Sequence, residues 1–223
     1  MSFLVDSYVF VTGGGNEAFV GGGYNGAFGG STDEFFTFNI DTDTWSSVVT
    51  FPYTTYNQGG AGSSTDTIFW GGYNSGGGSN PTLTQKWNGT SFSAGGHITW
   101  SGNGQSVGNG SGATNSFVSS NNASYGTNST WEYNLSWSTG NNITYYQRQG
   151  AQGGDTNTNA IVVTGFGGNT GGSAGASARS EACTRNNSTF GSITSLSSHQ
   201  SWQHSGGAGG VYDSFSFLED IRT

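Results

Sequence analysis

The stretch Ile68–Ser93, IFWGGYNSGGGSNPTLTQKWNGTSFS, contains the unit from which most of the chain is built. An apolar run ends in Gly71 and Gly72, a loop rich in glycine and serine follows, and an alternating run then leads to Trp87-Asn88 and Phe92. Alternation of polar and apolar residues is typical of a half-buried strand. We therefore interpret the stretch as short strands joined by turns, and the same order of features recurs elsewhere in the chain.

Four copies of this unit are present. The first has Gly21-Gly22 after its apolar run, where the second has Gly71-Gly72. Such pairs are predicted to let backbones crowd near a common axis. A period of about 45 to 50 residues with about four short strands is the size of a propeller blade. Each copy ends in an aromatic anchor, and these anchors, spaced 47, 45 and 53 residues apart, are Trp45, Phe92, Trp137 and Phe190.

The order of apolar run, Gly-Gly, loop, aromatic-Asn, turn and aromatic residue resembles the kelch repeat, over nearly the whole chain. The third copy departs from it because Ser119-Ser120 replace the glycine pair, and the fourth because Arg185 replaces the aromatic residue. This resemblance implies a β-propeller. The form Trp-Asn-Gly-Thr-Ser-Phe also resembles the degenerate kelch-like repeats of marine bacteriophage structural proteins, and the opening Ser-Phe-Leu-Val-Asp-Ser-Tyr resembles the start of phage structural proteins.

The sequence thus predicts a single all-β domain over residues 1–223, a kelch-like β-propeller with four full repeats and two complementary terminal half-units. The terminal strands, 2–12 and 211–220, are expected to complete a fifth blade or to pair with a neighbouring chain, since closure removes an exposed sheet edge. A four-bladed ring with free termini, or strand exchange between subunits, is the alternative. The predicted repeats span residues 16–62, 63–112, 113–156 and 157–210.

The composition agrees with a folded β chain. Glycine accounts for 41 of the 223 residues and charged residues for only 8%, against backgrounds of about 7% and about 25%. A disordered chain would have few aromatic residues, but here they make up 14%. Aromatic side chains carry large apolar areas and can form a core where leucine and isoleucine are scarce. No segment predicts a helix of note.

Charge excludes several classes of partner. The net charge is −8, with five lysines and arginines in total, too few to neutralise a nucleic-acid backbone or to bind an anionic membrane. The start of the chain resembles no signal peptide, and no apolar run reaches the roughly 20 residues of a membrane-spanning helix. We therefore expect synthesis in a cytoplasm without secretion, and the resemblance to phage proteins implies a place in an extracellular virus particle made in a host cell.

Residue types that support catalysis are scattered. His199 and His204 are five residues apart, a spacing that suits neither a strand face nor a helical metal pair. Asp41 and Asp43 lack the further ligands of a calcium loop and favour a hairpin turn. Cys183 has no nearby histidine, which argues against the copper site that some kelch-type propellers carry. The sequence therefore predicts no enzyme, no metal site and no cofactor.

Three aromatic residues near glycine and amide side chains could bind sugars: Trp70, Tyr73 and Trp100. A flat ring beside amide donors and acceptors suits a saccharide, although a core role is the alternative because every repeat needs an aromatic residue. The expected function is a non-catalytic structural component of a bacteriophage virion, a capsid decoration or a tail or fibre protein, whose partners are other virion proteins and copies of itself. The alternative is a lectin-like receptor-binding module for host-surface carbohydrate, and an enzyme on a propeller scaffold would rest on analogy alone.

Overall fold

The computed structural model describes somewhat more than half of the chain, and in these residues it contains strands and turns but no helix. The predicted all-β class is therefore confirmed. The described residues are 9–12, 17–25, 30–47, 49–56, 58–72, 74, 82–98, 107–110, 112, 114, 116–119, 129–143, 151–154, 159–163, 166–167, 177–178, 182–186, 189–192, 206–209 and 215–218.

The strands are short and follow one another closely along the chain. In order they are β1 Val9–Thr12, β2 Glu17–Gly21, β3 Tyr24–Asn25, β4 Gly30–Ser31, β5 Phe35–Asn39, β6 Thr44–Ser47, β7 Gly59–Ser63, β8 Asp66–Trp70, β9 Leu83–Trp87, β10 Phe92–His97, β11 Val107–Gly110, β12 Ser116–Ser119, β13 Thr130–Tyr133, β14 Trp137–Thr139, β15 Ala151–Gly154, β16 Asn159–Val163, β17 Phe166–Gly167, β18 Ser177–Ala178, β19 Ala182–Asn186, β20 Thr189–Ser192, β21 Gly206–Gly209 and β22 Phe215–Leu218.

Four antiparallel sheets of four strands share one topology. Sheet 1 has the order β1-β2-β5-β6, sheet 2 has β7-β8-β9-β10, sheet 3 has β11-β12-β13-β14 and sheet 4 has β15-β16-β19-β20. The pair β21-β22 follows them, and the small hairpins β3-β4 and β17-β18 lie between the second and third strands of sheets 1 and 4. Each sheet is a meander, in which the strands lie side by side in the order in which they occur in the chain.

The sheets differ in phase from the predicted repeats. Glycine-rich runs form the first strands β7, β11, β15 and β21, so that β7 opens sheet 2 although the predicted repeat 16–62 includes most of it. The N-terminal strand β1 pairs with β2, and the C-terminal strand β22 pairs with β21. Within the described residues, each terminal strand therefore pairs locally instead of with the other end of the chain. A local hairpin closes a shorter loop, and its entropy cost is correspondingly lower.

The first strands of successive sheets lie side by side. Strand β1 contacts β7, β7 contacts β11, β11 contacts β15, and β15 contacts β21. Strand β1 contains no glycine, but the other four strands in this row are rich in it. Gly59 in β7 shows why: a Cβ at this position would overlap the indole ring of Trp70. Small residues in the first strands therefore make room for the large side chains of the second strands.

Sheet 2 lies between sheets 1 and 3 and packs against both. Successive side chains of a strand point to opposite faces, and in β8 the side chain of Phe69 joins the core shared with sheet 1, whereas Ile68 and Trp70 join the core shared with sheet 3. All three side chains are fully buried. A strand covered on both faces has a continuous apolar run instead of an alternating one, which explains the Ile-Phe-Trp sequence.

The core between sheets 1 and 2 consists almost entirely of aromatic rings. Phe35 stacks on Phe19 with ring centroids 5.5 Å apart and meets Phe69 and Phe92 edge to face at 5.6 and 5.0 Å. Each such pair contributes about 0.5–1.5 kcal/mol beyond its buried area. The buried members of this cluster are Phe19, Phe35, Phe51, Phe69 and Trp87.

Two hydrogen bonds join sheet 3 to sheet 2. The indole Nε1 of Trp137 donates to Thr84 Oγ1 at 2.7 Å, and the Tyr133 hydroxyl donates to the carbonyl oxygen of Gly95 at 2.8 Å. Burial, and secondarily the carboxylate of Asp66, raises the pKa of Tyr133 above its usual value, so this donor stays protonated at neutral pH. Buried polar tips of aromatic residues are thus satisfied by the adjacent sheet.

The predicted aromatic anchors have different environments. Phe92 packs on the first core and Trp137 on the second, and in both cases the side chain contacts the preceding sheet. Trp45, the anchor of the first copy, is instead 57% exposed. It pairs across the strands with Phe38, at a centroid distance of 4.8 Å, on the face of sheet 1 that is turned away from sheet 2. Phe190 lies in β20, and its side chain is outside the described residues.

Candidate functional site

The connections between strands alternate between two ends of each sheet. Short turns join the first strand to the second and the third to the fourth, as between β7 and β8 or β9 and β10. Longer connections join the second strand to the third, and each sheet to the next, at the opposite end, which we call the loop end. Binding residues occur disproportionately on loops held by a rigid scaffold, so the loop end is the first place to seek a site.

Two equivalent glycine pairs begin the loop-end connections of sheets 1 and 2. Gly22 and Gly71 have φ angles of 68° and 65°, and each is followed by a second glycine with positive φ. The sequence Gly-Gly-Tyr-Asn follows both inner strands, so the pair equivalent to Gly71-Gly72 is Gly22-Gly23. The predicted pair Gly21-Gly22 is thus displaced by one residue. Gly21 itself lies in β2, where a Cβ would approach the ring of Phe35 to 2.8 Å.

The segment that joins sheet 1 to sheet 2 packs against these glycines. The amide of Gly23 donates to the carbonyl oxygen of Thr55 at 2.7 Å, and Nε2 of Gln58 donates to the carbonyl oxygen of Gly21 at 2.6 Å. A Cβ at Gly22 would lie 2.5 Å from the same carbonyl of Thr55. Glycine is therefore required here for a close approach of backbone to backbone.

Among the described residues of this segment, two buried oxygen atoms have no hydrogen-bond partner. They are Oγ1 of Thr55, whose residue is fully buried, and Oε1 of Gln58, whose residue is 5% exposed. Both residues border Gly72: a Cβ there would overlap Thr55 Oγ1 and lie 3.2 Å from Cβ of Gln58. An unsatisfied buried polar group costs about 1–3 kcal/mol, so these atoms call for a physical explanation.

Tyr53 in the same segment is a neutral hydrogen-bond donor. Its hydroxyl donates to the carbonyl oxygen of Gly71 at 3.5 Å, and burial raises the pKa of its phenol well above the usual value. The phenol therefore stays protonated at any physiological pH and contributes no charge to the loop end.

A partly exposed aromatic pair lies at the loop end. The rings of Tyr24 and Tyr56 have centroids 5.1 Å apart and planes inclined by 57°, and both residues are partly accessible to solvent. Sequence reasoning missed both. The repeat could have indicated Tyr24, because it occupies the place in Gly-Gly-Tyr-Asn that Tyr73 occupies in the second copy. No sequence pattern indicates Tyr56.

Of the three residues predicted to bind sugar, the structure describes only Trp70. Trp70 has no exposed area and meets Trp137 edge to face at a centroid distance of 5.9 Å. It is a core residue, and the prediction that it contacts a ligand is wrong because a buried ring offers no face to a sugar. Tyr73 and Trp100 lie outside the described residues.

Other candidate groups lie apart from the loop-end segment. Asp41 and Asp43 are in the turn between β5 and β6, where Oδ1 of Asn39 accepts a hydrogen bond from the amide of Thr42 at 3.0 Å. In the described part of the chain, no three His, Cys, Asp or Glu residues come together as a metal site. The side chains of His199, His204 and Cys183 lie outside that part.

Within the same described ranges, no helix is long and apolar enough to cross a lipid bilayer.

Comparison with known proteins gives a likeness of fold alone. No protein-family model matches the sequence, and no curated protein matches it either. Among solved structures, the chain is similar to that of YjhT, with a TM-score of 0.72 over 92% of this chain and 74% of the other. The two sequences are 11% identical, so the similarity supports the arrangement of the strands and carries no statement about activity.

Proposed function

We propose that the chain is a kelch-like β-propeller that serves as a non-catalytic structural component of a bacteriophage particle, either a capsid decoration or part of a tail or fibre. The kelch-like and phage-like sequence features support this proposal. Four successive meanders whose first strands adjoin are what propeller blades around an axis require, and the pair β21-β22 would be the inner half of a fifth blade.

The observation that carries the structural role is the exposure of Trp45. In sheets 2 and 3 the equivalent aromatic residue is covered by the preceding sheet. A fifth blade with only its two inner strands would leave the outer half of sheet 1 uncovered, and Trp45 in the outermost strand is 57% exposed. Trp45 pairs with Phe38 on this uncovered face, and adjacent apolar side chains at an uncovered face are typical of a contact surface. The partner would be another virion protein or a second copy of this chain.

The test uses particles of the virus whose genome encodes the chain. We expect peptides of the chain in gradient-purified particles, and we expect added labelled chain to bind particles from which it has been stripped. Trp45→Ser should reduce this binding about tenfold or more, as for an interface hot spot. Leu135→Ser is the matched control, because Leu135 is 64% exposed in a turn of sheet 3. Absence of the chain from particles would reject the proposal, and equal binding by the two variants would reject the Trp45 surface.

A lectin-like receptor-binding module is the second candidate, and the Tyr24–Tyr56 pair favours it. Partly exposed rings can stack on a sugar while polar atoms of the surrounding loops bind its hydroxyls. Several such sites on one particle would act together by multivalency.

An array of bacterial surface glycans tests this second candidate. We expect saturable binding that one sugar competes away, a loss of about tenfold in affinity for Tyr24→Ala, and near-normal binding for Tyr24→Phe, which keeps the ring. If folded protein binds no glycan, the candidate fails without bearing on the particle role. Equal binding by Tyr24→Ala and the wild type would place the sugar elsewhere.

A further inference from the structure

The two unsatisfied oxygens at the junction of sheets 1 and 2 point to a bound molecule. Thr55 Oγ1 and Gln58 Oε1 are both buried, both lack a hydrogen-bond partner, and both belong to residues that border Gly72. Reversing the Gln58 amide would not solve the problem, because it would place Oε1 against the carbonyl oxygen of Gly21, which now accepts from Nε2. The orientation of this side chain is therefore fixed by its neighbour.

We propose that one buried water molecule binds between Thr55 and Gln58, donating a hydrogen bond to Gln58 Oε1 and exchanging a second with the Thr55 hydroxyl. Water suits the site because it both donates and accepts, and buried waters typically occur where polar groups are otherwise unsatisfied. A calcium ion would need about six to eight oxygen ligands, and the site offers two unused ones. The water would link the two residues on either side of Tyr56-Asn57 and so hold the segment that carries Tyr56.

The direction in which one substitution changes the melting temperature distinguishes a bound water from a site that holds none. Thr55→Val keeps the shape of the side chain and removes its hydroxyl. If water bridges the two residues, the substitution removes the hydroxyl that helps to hold this water, and Gln58 Oε1 loses its hydrogen-bond donor. We therefore expect the melting temperature to fall by about 3–6 °C. If the hydroxyl is simply unsatisfied, its removal should raise the melting temperature. Thr84→Val calibrates the loss, since Thr84 is equally buried but bonds directly to Trp137.

A double-mutant cycle and a crystal structure complete the test. Thr55→Val and Gln58→Met should be coupled, with the double variant losing less than the sum of the single losses. A wild-type crystal structure at high resolution should show a density peak within about 2.7–3.2 Å of both oxygens, and this peak should vanish in Thr55→Val. A higher melting temperature, additive losses or an empty junction would each overturn the proposal. If the variants do not fold, the wild-type density decides alone.

Discussion

Gly62→Ala is expected to lower the free energy of unfolding by about 4 kcal/mol. Gly62 lies in the first strand of sheet 2 with a φ of 133°, a conformation that side chains rarely adopt. A Cβ there would overlap the carbonyl oxygen of Asp66 and lie 2.6 Å from Cα of Thr67. Both atoms belong to the backbone of the β7–β8 hairpin, so no side-chain rotation relieves the clash.

The control for this substitution is Gly96→Ala. Gly96 also has a positive φ, of 85°, but nothing lies within 4 Å of an added Cβ. Its free energy of unfolding should fall only by the cost of placing a side chain on a left-handed backbone, about 1–2 kcal/mol. Denaturant unfolding followed by tryptophan fluorescence measures both variants. Equal losses would mean that the close packing of β7 on β8 is not what requires glycine at position 62.

Trp70→Ala is expected to lower the free energy of unfolding by about 3–5 kcal/mol, as for other buried tryptophans. Its ring has no exposed area and lies in the core shared by sheets 2 and 3. The same substitution at Trp45, which is 57% exposed, should change stability by about 1 kcal/mol or less. The two variants remove the same side chain from a buried and from an exposed position, so the difference between their stability losses measures the effect of burial.

Denaturant unfolding again provides the measurement, and particle binding provides a second readout. Trp70→Ala should impair stability, whereas Trp45→Ala should impair assembly with little effect on stability. A large stability loss for Trp45→Ala would show that this ring is covered within the chain. That outcome would remove the main support for the proposed contact surface.

Much of the fold could be predicted from local patterns. The Ile-Phe-Trp run predicts a buried strand, and the Gly-Gly pair after it predicts a turn, because both depend on conformational preferences of nearby residues. The phase of the repeat could not be predicted in this way. The glycine cluster 59–62 reads equally well as the end of one unit or the start of the next, and only the hydrogen bonds of β7 to β8 assign it to sheet 2.

The candidate site was largely invisible to sequence reasoning. Thr55 and Gln58 lie in a polar segment with no motif, and their importance comes from burial against residues that are distant in the sequence, such as Gly21 for Gln58. For Trp70 the sequence leaves a sugar site and a core position open, because a tryptophan beside glycines and asparagine is compatible with both. The composition around it is the same in both cases.

The sequence by itself determined the strand-rich class, the period of the repeat and the use of aromatic residues for the core, since these follow from local periodicity and from which residues carry apolar area. The tertiary structure decided which of the repeated aromatic residues are covered. Phe92 and Trp45 end equivalent copies of one motif, yet Phe92 packs on sheet 1 and Trp45 faces solvent. Burial is a property of the neighbouring sheet, and a motif does not encode what lies against it.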